Sequence, residues 1–338
     1  MLITGISGQD GAYLAARLLA RGDSVIGTRR PGSVDASLWR LRELDIAEHA
    51  QLRLVELDTA DADACRALVA GVQPFALFHL AAQSRVGESF RDPQASLRAN
   101  AHSTLNLLEA IHTVSPATRF VLASSAELYG DAQASPQAET TPFAPRNPYA
   151  IAKHLAHMTT QSYRDTQGLH ASCAILFNHE SPLRDADFVT RKIAAAAVRL
   201  AGGEGAPLEL GNLDARRDFG YAPEYVAVMT AMVEQMRGDD YVLATGVDVS
   251  IREFATLAFA ATGVALTWRG SGVEAQAIDA HGRVMVQVNA ALFRPVEAAV
   301  LVGDATKARA RLGFAPATSV AELARLMVVA EAHRRSGS

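Results

Sequence analysis

The sequence predicts an α/β protein with a doubly wound parallel sheet, and two observations carry that prediction. Short apolar runs alternate with helical patterns through the first half of the 338 residues, which is typical of parallel strands joined by crossover helices. A glycine-rich segment, Gly5 to Gly11, lies between the first apolar run and a helical pattern, where dinucleotide-binding folds carry their phosphate-binding turn. We therefore expect a Rossmann-type sheet with a smaller C-terminal α/β substrate lobe.

Six strands are predicted in the first half, each from a short apolar run. Helical segments such as Ala12–Arg21 and Ser103–Ile111 lie between them. They are Met1–Thr4, Ser24–Thr28, Leu52–Glu56, Ala76–Leu80, Arg119–Ser124 and Ser172–Phe177. The first run is unusually short, which leaves open whether the natural chain begins further upstream.

The alternation stops near residue 178, so we expect residues 1–178 to form the cofactor-binding domain, with segments returning from the C-terminal half. Residues 179–338 should form the lobe that binds substrate. We expect the part from Arg184 to Asp218 to be mostly loop. The elements predicted in the second half are Thr190–Ala201, Tyr241–Thr245, Ile251–Ala261, Thr306–Leu312 and Val320–Arg334.

Composition excludes several classes of function. Apolar residues make up 49%, charged residues 20%, and the net charge is −4, which gives no electrostatic basis for binding nucleic acid or anionic membranes. No apolar run reaches the 18 or so residues of a membrane span. Cys65 and Cys173 fit no metal-binding spacing, and we expect reduced, buried thiols. The prediction is a cytoplasmic protein without a metal ion.

The glycine-rich segment is the first candidate site. Its glycines allow a tight turn and a close approach of backbone to a pyrophosphate, and the following helix N-terminus offers unpaired N–H groups. The residues expected to contact the dinucleotide here are Gly5, Ser7, Gly8, Gln9, Asp10 and Gly11.

The ends of the next strands indicate which dinucleotide binds. An acidic residue after the second strand would hold the ribose of NAD, but Arg29 and Arg30 stand there and suit the 2′-phosphate of NADP. The alternative is a solvated basic turn. Asp58, followed by Thr59, could accept a bond from adenine or could be a helix N-cap. The segment after the fourth strand contains small residues that would let the backbone approach the cofactor. It consists of Leu80, Ala81, Ala82 and Gln83.

Four residues suggest acid–base chemistry at the end of the fifth strand. Ser125 and Glu127 are two apart, so an extended backbone would direct both side chains the same way. Pro148 suits a first helical turn, which places Tyr149 and Lys153 one turn apart on one face. A nearby ammonium favours a tyrosine phenolate, a usable base. Singly, each is as well explained as a surface or turn residue; together they predict catalysis.

Asn178 and His179 follow the sixth strand, at a strand end where ligands bind in such sheets. A structural, hydrogen-bonded ring is the alternative for His179. Basic residues recur further on, and any one of them alone is better explained as solvated. They are Lys192, Arg216, Arg217 and Arg294.

Longer motifs resemble the extended short-chain dehydrogenase/reductases and, within them, the GDP-mannose 4,6-dehydratase family. The similar segments run over nearly the whole chain. They are TGISGQDGAYLA (4–15), SSAELYG (124–130), PYAIAK (148–153), ILFNHESPLR (175–184), FVTRKI (188–193), LGNLDARRDFGYA (210–222), ATGVDVSIREF (244–254) and FRPVEAAVLVGDATKA (293–308).

The resemblance implies a reaction and a role for each matching position. It implies dehydration of GDP-D-mannose to GDP-4-keto-6-deoxy-D-mannose by internal hydride transfer through NADP, in a homodimer or homotetramer. Catalysis would fall to Ser125, Glu127, Tyr149 and Lys153. NADP would also contact His179 and Arg184. The GDP-sugar would contact Ser84, Arg85, Glu88, Ser125, Asn178, Lys192, Arg217, Arg294 and Glu297.

Departures from the family pattern leave alternatives open. Pro31 and Gly32 replace a hydroxyl pair usual after the two arginines, although Ser33 is near. Arg85 and Glu88 border the expected sugar pocket with charges that differ from the family's. The same reaction on GDP-D-glycero-D-manno-heptose is therefore an alternative. A GDP-sugar 4-reductase or epimerase is a second, less favoured because neither needs Glu127 as a base for C5.

Overall fold

The structure is a computed structural model that describes residues 1–132, 134–293 and 301–336. Two predicted substrate-contacting residues, Arg294 and Glu297, lie outside the described residues. No helix in the described ranges is both long and apolar enough to cross a lipid bilayer.

The strands are numbered along the chain. They are β1 (Leu2–Thr4), β2 (Val25–Arg29), β3 (Leu52–Glu56), β4 (Ala76–His79), β5 (Arg119–Ala123), β6 (Ala171–Leu176), β7 (Asn178–Glu180), β8 (Leu208–Leu210), β9 (Arg216–Tyr221), β10 (Asp240–Leu243), β11 (Asp248–Ser250), β12 (Thr267–Arg269), β13 (Gln276–Ile278) and β14 (Val284–Val288).

The α-helices are numbered in the same way. They are α1 (Gln9–Ala20), α2 (Trp39–Glu43), α3 (Ala62–Val72), α4 (Val86–Arg91), α5 (Pro93–Leu97), α6 (Ser103–Val114), α7 (Pro148–Gln167), α8 (Val189–Ala201), α9 (Ala222–Met232), α10 (Ile251–Ala260), α11 (Thr306–Leu312) and α12 (Val320–Arg335).

The chain divides into two compact units. The first comprises residues 1–177, 222–243 and 303–315, and the second comprises residues 178–221, 244–302 and 316–338. The first unit therefore takes back two segments from the C-terminal half of the chain, one with α9 and β10 and the other with α11.

A parallel sheet of seven strands forms the centre of the first unit, in the order β3-β2-β1-β4-β5-β6-β10. All its neighbouring strands are parallel, which confirms the predicted fold class. The strand order reverses between β1 and β4, and ligands bind at such a switch point, beyond the carboxyl ends of the strands. Burying both faces requires continuous apolar strands, and the side chains of β4 are fully buried from Ala76 to His79.

The second unit has its own apolar core and two small sheets, β11-β9-β7 and β12-β13-β14-β8. Helix α8 has a strongly amphipathic sequence and packs on α10 and α12. The prediction that residues 184–218 hold mostly loop with one helix missed β8 and β9. β8 alternates between buried and exposed residues but has only three of them, too few for periodicity to mark a strand, and β9 is polar at its start and does not alternate.

Candidate active site

The turn after β1 brings the glycine segment against the segment that follows β4. Gly5 has φ 73°, a conformation that favours glycine, and a Cβ on it would lie 2.8 Å from the backbone N and Cα of Ala81. A Cβ on Gly11 would lie 2.4 Å from the carbonyl oxygen of Gly5. The chain therefore needs glycine at both positions, and the predicted small residue Ala81 lies beside this turn.

Helix α1 begins at this turn without a side-chain cap. Its N-cap is Gly8, whose amide donates to Gly5 O at 3.0 Å, so the first amides of α1 have no capping side chain. Such a helix N-terminus is suited to a phosphate group. Arg40 donates to the carbonyl of Ser7 at 2.9 Å and holds the turn from outside.

A buried network of hydrogen-bonded side chains, which the sequence analysis did not predict, lies under the same turn. His79 Nδ1 is 2.7 Å from Thr4 Oγ1 and its Nε2 is 3.1 Å from Ser103 Oγ, while Ala81 N donates to Thr4 Oγ1 at 3.2 Å. Burial first, and then the charge of Lys153, lowers the pKa of His79 to about 3. The ring is therefore neutral at physiological pH and ties β4 to β1 and α6.

Arg29 and Arg30 differ in their surroundings. Arg29 ends β2 and forms long ion pairs with Asp35 and Glu56, both at 3.4 Å. Arg30 is exposed, and its carbonyl accepts from Ser33 N at 3.1 Å across a turn through Pro31 and Gly32. Ser33 Oγ is shielded from solvent and has no hydrogen-bond partner among the described residues. The turn therefore offers a cation and a hydroxyl near each other in the chain.

Asp58 does not cap a helix, so that alternative is wrong. Its Oδ1 accepts from Ala60 N at 2.9 Å within the turn after β3, and Thr59 follows it there. Asp61 caps α3 by accepting from Ala64 N at 3.0 Å. An aspartate does cap α3, but it is Asp61 and not Asp58. Asp58 is exposed.

Ser125 and Glu127 adopt a different local geometry from the predicted one. Ser125 is extended, with φ −149°, but residues 126–128 form a short 3₁₀ turn that Ser125 caps by accepting from Glu127 N at 3.2 Å. The prediction that Ser125 and Glu127 lie on one extended backbone is therefore wrong. A serine hydroxyl that accepts in this way can still donate its hydrogen to a ligand. Glu127 Oε2 accepts from Asn147 Nδ2 at 3.0 Å.

Helix α7 begins as the sequence predicts. Pro148 occupies its first turn, and Asn147 is the N-cap, whose Oδ1 accepts from Ala150 N at 2.8 Å. Tyr149 and Lys153, one turn apart, are both buried. Lys153 Nζ donates to Ala123 O at 2.8 Å, at the end of β5. Burial lowers the pKa of Lys153 to about 8.

The segment from Gln83 to Glu88 forms its own network. Gln83 Nε2 donates to Arg85 O at 2.7 Å, its backbone oxygen accepts from Asn100, and Arg85 donates to Glu88 Oε1 at 2.9 Å. The hydrogen bond from Arg85, and then one from Gln83 Nε2 to Glu88 Oε2 at 3.4 Å, lowers the pKa of Glu88. Glu88 and Ser84 are exposed.

Within the described ranges, one cluster of side chains has the residue types and the spacing of metal ligands. It consists of His157, Cys173 and Asp240, all buried. Arg164 donates to both carboxylate oxygens of Asp240, at 2.8 and 3.2 Å. Burial raises the pKa of Cys173 well above its ordinary value, whereas a metal binds the thiolate. The group is better explained as a hydrogen-bonded part of the core, so we assign no metal to it.

In the second unit, the segment after β6 carries the residues expected near cofactor and substrate. Asn178 and His179 lie on β7, which pairs in parallel with β9. Glu180 is buried, accepts from Thr190 Oγ1 at 2.5 Å and forms a 3.1 Å ion pair with Arg184 Nε. The Arg184 guanidinium also lies 3.6 Å from the centre of the Phe188 ring, so its position is well fixed.

The neighbouring arginines of β9 have different partners. Arg216 pairs with Asp248 and, at 3.4 Å, with Glu253. Arg217 donates to Arg216 O at 2.7 Å and lies opposite Val249 in the sheet. Lys192 is exposed on α8. Arg216 is thus part of the unit's own ion pairs.

Comparison with known proteins matches the whole chain to one family. A family model described as GDP-mannose 4,6 dehydratase matches residues 2–327. The chain is 47% identical over 333 residues to a GDP-mannose 4,6-dehydratase of Sinorhizobium fredii, covering 97% of this chain and 95% of the relative. It is 42% identical to GDP-mannose 4,6 dehydratase 2 of Caenorhabditis elegans, covering 98% and 88% respectively.

A solved structure supports the fold independently. RMD from Pseudomonas aeruginosa, complexed with NADPH, superposes with a TM-score of 0.77 at 24% identity and covers 98% of this chain and 99% of that one. At this identity the likeness shows the fold alone. The resemblance inferred from the motifs, and with it the expectation of an enzyme, is confirmed by the curated relatives, which do not favour the heptose alternative.

Proposed function

Because the chain belongs to the GDP-mannose 4,6-dehydratase family, we propose that it converts GDP-D-mannose to GDP-4-keto-6-deoxy-D-mannose with the loss of one water. The observation that carries this proposal is the arrangement at the end of β5. Ser125 and Glu127 share a short turn, and the amide that caps the helix of Tyr149 and Lys153 donates to Glu127. A hydroxyl, a carboxylate and a phenol are the groups that this dehydration requires.

We propose NADP as the cofactor, bound by the first unit. The glycine turn fits a dinucleotide, because Gly5 and Gly11 bring backbone to distances that a Cβ would prevent. The exposed Arg30 and the unpaired Ser33 hydroxyl suit the 2′-phosphate, since that group is an anion with several acceptor oxygens. When bound, NADP⁺ would supply the oxidant that takes a hydride from C4 of the sugar and returns it to C6.

The protein's own residues account for the proton transfers. Tyr149, as phenolate, accepts the proton of the C4 hydroxyl, and Ser125 donates a hydrogen bond to that oxygen. The ketone at C4 makes the C5 proton acidic, so the Glu127 carboxylate removes it and then passes it to the departing C6 hydroxyl, which leaves as water. C5 finally receives the proton that Tyr149 took, directly or through water, and both bases regain their starting state.

For the nucleotide half of the substrate we propose residues of the second unit. Arg217 presents a planar guanidinium fork that matches phosphate oxygens, whereas Lys192 provides a point charge. Asn178 offers an amide that can donate and accept. Arg216 forms ion pairs with Asp248 and Glu253, and we assign it to the structure of the unit rather than to the substrate.

The reaction is tested by incubating the purified protein with GDP-mannose, without added cofactor, and analysing the products by mass. We expect a product lighter by one water and carrying a 4-ketone. A 4-reductase would need added NADPH, and an epimerase would leave the mass unchanged. GDP-D-glycero-D-manno-heptose in a parallel incubation tests the sugar, and faster turnover of the heptose would overturn the choice of mannose.

We also propose that the protein is a homodimer or homotetramer in the cytoplasm. Ile151, Leu155 and Met158 lie along one side of α7 with 54%, 47% and 53% of their surface exposed. A contiguous apolar stripe of this kind favours an interface with another chain. Light scattering on the parent and on Leu155→Arg tests this, because a charge in the interface should lower the mass.

A further inference from the structure

The side chain of Asn147 makes two hydrogen bonds that join different parts of the proposed active site. Its Oδ1 accepts from Ala150 N at 2.8 Å and so caps α7, the helix of Tyr149 and Lys153. Its Nδ2 donates to Glu127 Oε2 at 3.0 Å. One side chain therefore contacts both the base proposed for C5 and the helix that carries the base proposed for the C4 hydroxyl.

The chemistry of the two partners fixes the orientation of the Asn147 amide. A backbone N–H can only donate, so the carbonyl oxygen must face Ala150, and the NH₂ group is left for Glu127. An ionised carboxylate can only accept, which agrees with the same orientation. The two hydrogen bonds therefore fix the position of Glu127 Oε2 relative to the start of α7.

We propose that Asn147 is a positioning residue for Glu127, whose carboxylate it aligns for proton removal from C5. This inference rests on the proposed function, because it needs Glu127 to act as the C5 base. It gives the Asn147 side chain a second task beyond capping a helix. A serine can cap a helix equally well. Its hydroxyl can also donate, but its oxygen is one bond closer to the backbone than Asn147 Nδ2, so a serine that caps α7 does not reach Glu127.

Asn147→Ser separates the two tasks, since it keeps the cap and withdraws the hydrogen bond to Glu127 by shortening the side chain. The reaction has two early steps, oxidation at C4 and proton removal from C5, and only the second needs Glu127. We therefore expect roughly 10- to 100-fold slower product formation, the range expected for a misplaced catalytic group. Rapid mixing with GDP-mannose should show reduced nicotinamide, seen by its absorbance, building up on the protein before product is released.

Two further variants act as controls. Asp61→Ala removes a helix cap of the same kind from α3 without touching Glu127, so it should turn over like the parent, without such a build-up. Glu127→Gln removes the base itself and should show the largest build-up. Thermal unfolding of Asn147→Ser should match that of the parent, which would separate loss of positioning from loss of the fold.

The outcomes distinguish this inference from the proposed function. If Asn147→Ser forms product at the parent rate, or slows without any build-up of reduced nicotinamide, then Asn147 only caps the helix and the inference is wrong. If the parent itself releases no 4-keto-6-deoxy product, the proposed function fails first. If Glu127→Gln turns over normally, the assignment of the C5 base fails, and the inference with it.

Discussion

The ammonium of Lys153, on α7, donates to the backbone oxygen of Ala123, at the end of β5, across 2.8 Å. This bond ties the helix of Tyr149 to the strand that leads into Ser125. Lys153 is only 4% exposed, so its charge has little water around it, and burial lowers its pKa to about 8.

The lowered pKa predicts a pH dependence of cofactor binding. Lys153 is an ammonium below about pH 8 and is neutral above it, and the proposed cofactor is anionic. The affinity of the apo protein for NADPH should therefore fall as the pH rises through 8, by up to tenfold per unit. Titration by fluorescence between pH 7 and 9.5 measures this.

Lys153→Met is the control for that titration, because it keeps most of the buried volume and has no charge to lose. Its affinity should be weaker than the parent's and should not change across this range. An equal slope in both proteins would show that another group is responsible.

Glycine substitutions test the phosphate-binding turn. Gly11 and Gly71 both lie in helices, but a Cβ would lie 2.4 Å from Gly5 O at the first and has nothing within 4 Å at the second. Gly11→Ala should abolish NADPH binding and lower the melting temperature. Gly71→Ala should bind normally and unfold with a free energy unchanged or raised by about 0.5–1 kcal/mol. If Gly11→Ala bound NADPH normally, the assignment of the cofactor to this turn would be wrong.

The sequence predicted the first unit better than the second. Strands such as Leu52–Glu56 and the helix start at Pro148 follow from apolar runs and cap residues, which are local signals. The N-cap roles of Asp61 and Asn147 could also have been predicted from the sequence, because an Asp or Asn just before a helical pattern is itself an N-cap signal. The link from Asn147 to Glu127 was not, because it joins residues twenty positions apart and depends on how α7 packs.

The network of His79 and the 3₁₀ turn at residues 126–128 show a second limit. His79 falls within an apolar run, and nothing local indicates that Thr4 and Ser103 meet it from distant elements. The turn after Ser125 follows a buried strand, and the sequence does not mark where the extended backbone ends. Short strands of the second unit escaped for the same reason, since their pairing comes from tertiary contacts rather than from periodicity.

Arg30 should determine the choice between NADP and NAD. The parent should bind NADP more tightly than NAD, and Arg30→Ala should lose most of that preference while binding NAD as before. One charge-assisted hydrogen bond is worth about 1.5–3 kcal/mol, so the preference should fall by roughly 10- to 100-fold.

Arg66→Ala is the matched control for Arg30, because Arg66 is also an exposed arginine and forms an ion pair with its neighbour Asp63 on α3. Equal affinity of the parent for the two cofactors, measured by calorimetry, would refute the assignment of NADP.

Arg217 should bind the nucleotide half of the substrate and not the cofactor. Arg217→Ala should bind GDP roughly 10- to 100-fold more weakly, because it loses a charge-assisted contact to phosphate. Its affinity for NADPH should not change. Arg217→Lys should recover only part of the loss, since an ammonium lacks the planar fork.

Separate titrations of GDP and NADPH test this, with Arg252→Ala as the control, an arginine of the same unit that contacts Asp214 and the Trp268 ring. A variant of Arg217 that binds GDP normally and loses NADPH would mean that the arginine serves the other ligand.

The internal transfer of hydride is the central claim, and an isotope tests it most directly. GDP-mannose carrying deuterium at C4 is incubated with the protein in ordinary water, with unlabelled NADP⁺ in excess, and the product is examined by mass and by NMR. We predict a 4-keto-6-deoxy sugar that has lost one water and keeps its deuterium, now at C6. Deuterium found in solvent or in the free cofactor pool, or remaining at C4, would contradict the account.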